Sequence, residues 1–237
     1  MVQGVDPAMA RRVLKVIGWV LAALICLPIL LVLVYKVVPP PITPLMLIRS
    51  AQGFPNKRLW LSADRMSPEI FRAVIASEDA KFCRHHGFDW EAIDQDLERY
   101  EDGVGKLRGA STISMQTAKN LFLWPGRTFL RKGLEAPLTV LLEAFLSKKR
   151  IIEIYLNIIE WGPGVYGVEA ASQAAFGHSA KTLTRREAAS LAAVLPSPLK
   201  SSARKPSAYI LRRIPIIEGR MEAVPFERSR ICAVPQG

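Results

Sequence analysis

Apolar residues recur at three- and four-residue spacing along most of the chain, and strict alternation is almost absent, so the pattern predicts helices rather than sheet. Ile70, Val74, Glu78 and Phe82 follow one another at four-residue spacing, with Phe71 and Ile75 beside them. Ser67 and Pro68 open that helix as N-cap and first-turn residue, and its expected end is near Cys83. The segments STISMQTAKNLFL, RKGLEAPLTVLLEAFL, KKRIIEIYLNII and GVEAASQAAF repeat the same period. Thr184 and Glu187 form a capping box before EAASLAAVL, which Pro196 ends. Pro137 removes a backbone hydrogen bond inside its segment and is expected to kink it. The fold class expected is mainly α.

One apolar stretch is of another kind. From Val16 to Val38 the only charge is Lys36, and at helical rise the run is long enough for a bilayer core of ~30 Å. Arg11, Arg12 and Lys15 precede it, so the positive-inside bias places residues 1–15 in the cytoplasm, 16–38 across the membrane and the rest outside. A cleaved signal peptide is the competing reading, but no small-x-small site precedes the PPPITP segment, and an uncleaved anchor is expected. Pro39, Pro40, Pro41 and Pro44 predict a stiff extended stalk over 39–50, followed by an extracytoplasmic domain over 51–237.

Composition adds a constraint on partners. With 237 residues, half of them hydrophobic, the chain has room for one domain and a short appendage. Its formal charge of +11 favours anionic partners: nucleic acid, a membrane surface or a phosphate-bearing substrate. Four basic residues and Asp6 give the part through Lys36 a net +3, which leaves +8 on the exported part. Of three cysteines, Cys26 lies in the span, and no framework pairs Cys83 with Cys232, so free thiols are expected. Cys83, His85 and His86 form no HExxH or paired CxxC pattern and read as polar residues at a helix end rather than metal ligands.

The candidate chemistry begins with Glu78, a carboxylate in a core-facing row. Burial disfavours its charged form and raises its pKa, which suits a group that takes a proton at neutral pH; the alternative is a buried Glu paired with one of the many cations. Gly109, Ala110, Ser111 and Thr112 make a small-residue turn opening a helix, whose free N–H groups suit an anion, although an ordinary N-cap reads the same way. Lys119, Arg127, Arg131 and Lys132 add cations nearby, either for a phosphate or simply solvated. Leu121, Phe122, Leu123, Trp124, Phe129 and Leu130 surround that loop, suited to a lipid interface or to core packing. Glu135 lies four residues after Arg131 and three after Lys132, so cations share its face and keep it ionised. An apolar setting for one carboxylate and a cationic setting for the other separates a base from an orienting group.

These segments, in this order and spacing, resemble the peptidoglycan glycosyltransferases of family 51, most closely their monofunctional, membrane-anchored biosynthetic members. EDAKFCRHHGFD matches the pattern ED-x-x-F-x-x-H-x-G-x-D, GASTISMQTAKNLF the second motif, RKGLE the third, KKRIIEIYLN the fourth and REAASLAAVLPSP the fifth, over roughly Ser67 to Lys200. The resemblance implies a lysozyme-like, two-lobed α-helical domain that polymerises lipid II into β-1,4-linked glycan strands at the periplasmic face of the cytoplasmic (inner) membrane. It puts the general base on Glu78 and a donor-orienting glutamate on Glu135. It puts substrate contacts on Asp79, Phe82, Ser111, Thr112 and Gln116, and pyrophosphate contacts on Lys119, Arg127 and Lys132. Its partners would be lipid II, the nascent glycan strand, the membrane and other cell-wall synthesis or division proteins, with no nucleic acid. No cofactor is required by it, and a divalent cation (Mg or Mn) at the pyrophosphate is left open.

Three positions depart from the family pattern: Met115 where a first glutamine is usual, Pro137, and Ser197 where close members carry Asn. SPLK at Ser197 satisfies S-x-x-K, but no K-T-G follows, so a transpeptidase domain is not expected. The other function classes are an anchored lysozyme-like glycan hydrolase, which would also use two carboxylates, and a non-catalytic glycan-binding scaffold.

Overall fold

The computed structural model describes residues 7–103, 110–126, 128–224 and 231–232. The chain forms two compact units, 1–38 and 39–237. In the first, helix α1 (Pro7–Tyr35) starts before the apolar run and carries Arg11, Arg12 and Lys15 in its opening turns. Arg11–Tyr35 spans 25 residues, about 37 Å at helical rise, and contains an 18-residue window of mean hydropathy 2.9. Leu14, Trp19, Leu24 and Ile25 are exposed around its circumference. A helix that is apolar all round and exposed throughout residues 11–27 is consistent with a single-pass membrane anchor.

The second unit opens differently from the extended stalk expected over 39–50. Helix α2 (Pro44–Ala51) begins there, because Thr43 accepts the Met46 N–H and Pro44 supplies a first-turn φ. Met46 is fully buried, so this stretch belongs to the domain core rather than to a spacer.

The remaining helices are α3 (Pro68–Glu78), α4 (Trp90–Glu101), α5 (Ile113–Phe122), α6 (Phe129–Phe145), α7 (Lys148–Ile158), α8 (Val168–Phe176), α9 (Arg185–Val194) and α10 (Ala208–Met221). They pack as two groups: α3 lies on α9 and α10, and α5 lies on α6 and α7. α3 stops at Glu78, short of the expected end near Cys83, because Asp79 leaves the helical backbone and turns its carboxylate elsewhere. α4 buries none of its residues, although Trp90, Ile93, Leu97 and Tyr100 recur at three- and four-residue spacing along it. α6 continues through Pro137.

A small sheet, unannounced by alternation, joins β1 (Lys57–Arg58) to β3 (Val165–Tyr166) in parallel and β3 to β2 (Glu160–Gly162) antiparallel. Its strands have two or three residues, too few to show a period. Buried Asn157 secures the segment after β1, accepting the Leu61 N–H at 2.9 Å and donating to the Leu61 carbonyl at 2.8 Å.

Cys83 and Cys232 are joined in a disulfide with Cα atoms 4.9 Å apart, which corrects the expectation of free thiols. Their 149-residue separation hid the pair. α10 packs on α3, and Arg220, Ala223 and Val224 at its end line one cavity with Ala76 and Ala80, which brings the end of α10 close to the loop that follows α3.

Candidate active site

The site is built on the loop between α3 and α4. Asp79 accepts His85 Nε2 at 2.9 and 3.1 Å on its two oxygens, and Oδ2 also accepts the Ile113 N–H at 2.9 Å. His85 Nδ1 accepts the Gly87 N–H at 3.1 Å, which leaves the ring's other nitrogen as the donor to Asp79. Gly87 has φ +96°, and a Cβ there would lie 2.9 Å from Thr139 Cγ2 on α6, so only glycine fits. Thr112, the N-cap of α5, donates to the Gly87 carbonyl at 2.6 Å and accepts the Met115 N–H at 3.1 Å. Phe82 lies beneath the loop, fully buried, with Lys148 Nζ 4.5 Å from its ring centre. Lys148 in turn bonds Glu143 at 2.7 Å, and Ser114 donates to the same carboxylate.

Phe82, Thr112 and Asp79, expected as substrate contacts, are all buried, with the Thr112 hydroxyl and the Asp79 carboxylate bonded within the protein. They hold the loop against α5 and α6.

Glu78 closes α3 at the point where the two helix groups meet. It is part-exposed, and Gln116 of α5 donates to its Oε2 at 3.1 Å. Burial pushes its pKa above the ordinary carboxylate value, opposed by the Gln116 hydrogen bond and by the charges of Arg213 and Lys119, and reinforced by Asp79. Gln116 is itself held by the Tyr155 hydroxyl of α7, which donates to its Oε1 at 3.1 Å. Met115 is buried as a core side chain, and Gln116 alone of the pair reaches the carboxylate.

Beside Glu78 lies a cavity of about 430 Å³, with Ser111, Gln116, Lys119 and Arg131 among its lining residues. Those four, together with Met115, Lys132 and Glu135, also line a smaller cavity of about 130 Å³. Glu135 is buried; Arg131 pairs with it, and Lys132 Nζ lies 3.0 Å from its Oε2 and 3.3 Å from Ser111 Oγ. Burial lowers the pKa of Lys119, and the Arg131 guanidinium lowers it further. Arg127 lies outside the described residues.

The structure therefore brings Glu78, Gln116, Lys119, Lys132, Ser111 and Glu135 to one region. It adds Tyr155 and Arg213, to which periodicity gave no pointer, since one is a polar atom on a buried face and the other sits on a helix far along the chain. Trp124, Phe129 and Leu130 are exposed near this cluster's loop, while Leu121 and Leu123 are core residues. Among the described residues no group of three His, Cys, Asp or Glu side chains offers a ligand set for a metal ion. The carboxylates at hand are already bonded, Glu78 to Gln116 and Glu135 to cations, so the residues do not fit a resident divalent ion.

A transglycosylase family model matches residues 46–222. The chain is 52% identical over 226 residues, 95% of its length and 97% of the relative's, to a biosynthetic peptidoglycan transglycosylase of Rhodospirillum centenum. It is 54% identical to one from Caulobacter vibrioides over 78% of this chain and 81% of that one. It is 49% identical to one from Pseudomonas putida over 91% and 92%.

Proposed function

The chain belongs to the transglycosylase family, and from that premise we propose that Glu78 is the general base of a glycosyl transfer that uses lipid II. The protein is a glycosyltransferase that polymerises glycan strands in cell-wall synthesis. The observation that carries the finer reading is the part-exposed Glu78, its pKa raised by burial, hydrogen-bonded to Gln116, which lines a cavity together with Lys119 and Arg131.

The acceptor's 4-hydroxyl oxygen attacks the anomeric carbon of the growing, lipid-linked chain, and Glu78 takes the proton from that oxygen. The new O–C bond forms as the bond from the anomeric carbon to pyrophosphate breaks, and the electron pair leaves with undecaprenyl pyrophosphate. Attack from the opposite face inverts the centre and gives a β-1,4 linkage. Lys119 lines both cavities and Lys132 the smaller one, where they meet charge developing on the leaving group. Glu135 orients Arg131 and Lys132, fixing the cations before the donor arrives.

The apolar helix α1 anchors the chain, with its basic N-terminal turns inside and the catalytic unit on the periplasmic side of the inner membrane. The Cys83–Cys232 disulfide supports that side, since such bonds persist in oxidising compartments. Exposed Trp124, Phe129 and Leu130 suit contact with the lipid surface that delivers the substrate.

The test is to incubate the full chain with lipid II in liposomes and follow product size. Transfer yields a growing undecaprenyl-pyrophosphate-linked polymer, without added nucleotide, that a muramidase later cuts. A hydrolase would instead shorten preformed glycan, and a scaffold would change neither; either result overturns the proposal.

A further inference from the structure

Tyr155 has no place in the chemistry above, yet it is among the largest fully buried side chains and its hydroxyl needs a partner. That partner is Gln116 Oε1, at 3.1 Å. A primary amide offers an acceptor at one end and two donors at the other. With Oε1 taken by Tyr155, the amide nitrogen is turned towards Glu78, where Nε2 lies 3.1 Å from Oε2. The inverted amide would set Oε1 against a carboxylate oxygen, two acceptors facing each other. We propose that Tyr155 is a positioning residue for the transfer reaction, holding the Gln116 amide in the one orientation that donates to Glu78.

The inference rests on the reading of Glu78 as base and says how that base is tuned. Three helices supply the relay: α7 the phenol, α5 the amide and α3 the carboxylate. Burial raises the pKa of Tyr155 well above the ordinary phenol value, and the charges of Glu78 and Asp79 add to this, so the hydroxyl stays a protonated donor. The other charged groups acting on Glu78 are Lys119 from α5, Arg213 from α10 and Asp79 next to it. α9, also packed on α3, buries only uncharged residues, and its Arg185 and Arg186 reach Glu222 and Glu218. The Gln116 hydrogen bond is the largest influence opposing the burial of Glu78, so the groove's most effective control on the base depends on a residue remote from substrate.

The experiment measures turnover of lipid II by the full chain in liposomes against pH, for wild type, Tyr155→Phe, Gln116→Leu and the double variant. A base must be ionised to act, so the rate climbs with pH through its pKa. Loss of the donated hydrogen bond raises that pKa and moves the acid limb to higher pH. Tyr155→Phe is expected to displace the limb by about one unit, a ~10-fold loss well below it that shrinks towards the alkaline side. The double variant is expected to match Gln116→Leu alone, since a relay breaks only once. A uniform loss at every pH, or two displacements that add, would show Tyr155 to be mere packing and overturn the proposal.

Should Tyr155→Phe fail to fold, 3-fluorotyrosine at 155 decides. As a stronger donor of nearly the same size it is expected to move the limb to lower pH, and an unmoved limb counts against the relay. Glu78→Gln separates the two levels of the argument. If that variant kept wild-type turnover, the base reading would fall and the relay with it. If it is inactive while Tyr155→Phe leaves the limb in place, only the relay falls.

Discussion

The carboxylate of Asp79 accepts the backbone N–H of Ile113 at 2.9 Å, so the residue that ends α3 also caps the first turn of α5. One side chain thereby fixes Glu78, its immediate neighbour, against the helix that carries Gln116 and Lys119. Asp79→Asn replaces a carboxylate that accepts from two N–H groups, one of them shared by both oxygens, by a group that must turn a donor towards one of them. The expected cost is about 1–3 kcal/mol of stability, with turnover falling alongside. Thermal melts check it, and a wild-type Tm in Asp79→Asn would mean that the clamp is not what holds the loop.

The cations should fail in another way. Lys119→Ala removes a charge from both cavities without breaking a bond within the loop clamp. Melting should be little changed, whereas affinity for lipid II, and for phosphoglycolipid antibiotics that present the same phosphate chemistry, should fall by roughly 10–100-fold. Titration of either ligand onto the variant measures this, and unchanged affinity for both would move the phosphate site away from Lys119.

How much of this was legible beforehand depends on the range of the interaction. Glu78 stood out because its neighbours at four-residue spacing are apolar, a local signal. The pairing of Glu135 with Arg131 and Lys132 is also local, lying within one turn of α6. What the chain could not display is contact between residues distant in sequence. Tyr155 reaches Gln116 across 39 positions, and Cys83 reaches Cys232 across 149. Nothing in spacing shows that Asp79, Phe82 and Thr112 are buried under the loop; only the packing does. The helix at Pro44 was missed for a different reason, since prolines that suggest an extended spacer are equally at home in a first helical turn.

The disulfide gives a chemical prediction. In protein unfolded without reductant, alkylation should label Cys26 and spare Cys83 and Cys232, and all three should react once the unfolded protein is also reduced. Reduction or Cys232→Ser should also lower the Tm. The chain-entropy model gives a ceiling of ~5 kcal/mol for a loop of this length, and engineered and natural pairs often deliver less. Labelling of Cys83 before reduction would exclude the bond.

Glu78 should trade stability for activity, and the sign can be worked out from burial. Its pKa in the folded protein is raised above the ordinary value of 4.5, which the unfolded chain retains. Between those two values the folded state binds more protons than the unfolded one, so stability falls as pH rises through that window. The favourable contribution is fully present only below 4.5 and is lost above the folded pKa. Glu78→Gln cannot titrate and keeps a group of the same size beside Gln116. The variant's Tm relative to wild type should therefore climb as pH rises from 4.5 and then level off once the folded pKa is passed. Over the same range its turnover should be lower by ~10²–10⁴-fold, the usual consequence of removing a general base. Parallel melts and rate profiles test both halves together. A Tm difference independent of pH would mean that Glu78 is not held against its own ionisation, and the physical ground for treating it as a tuned base would be gone.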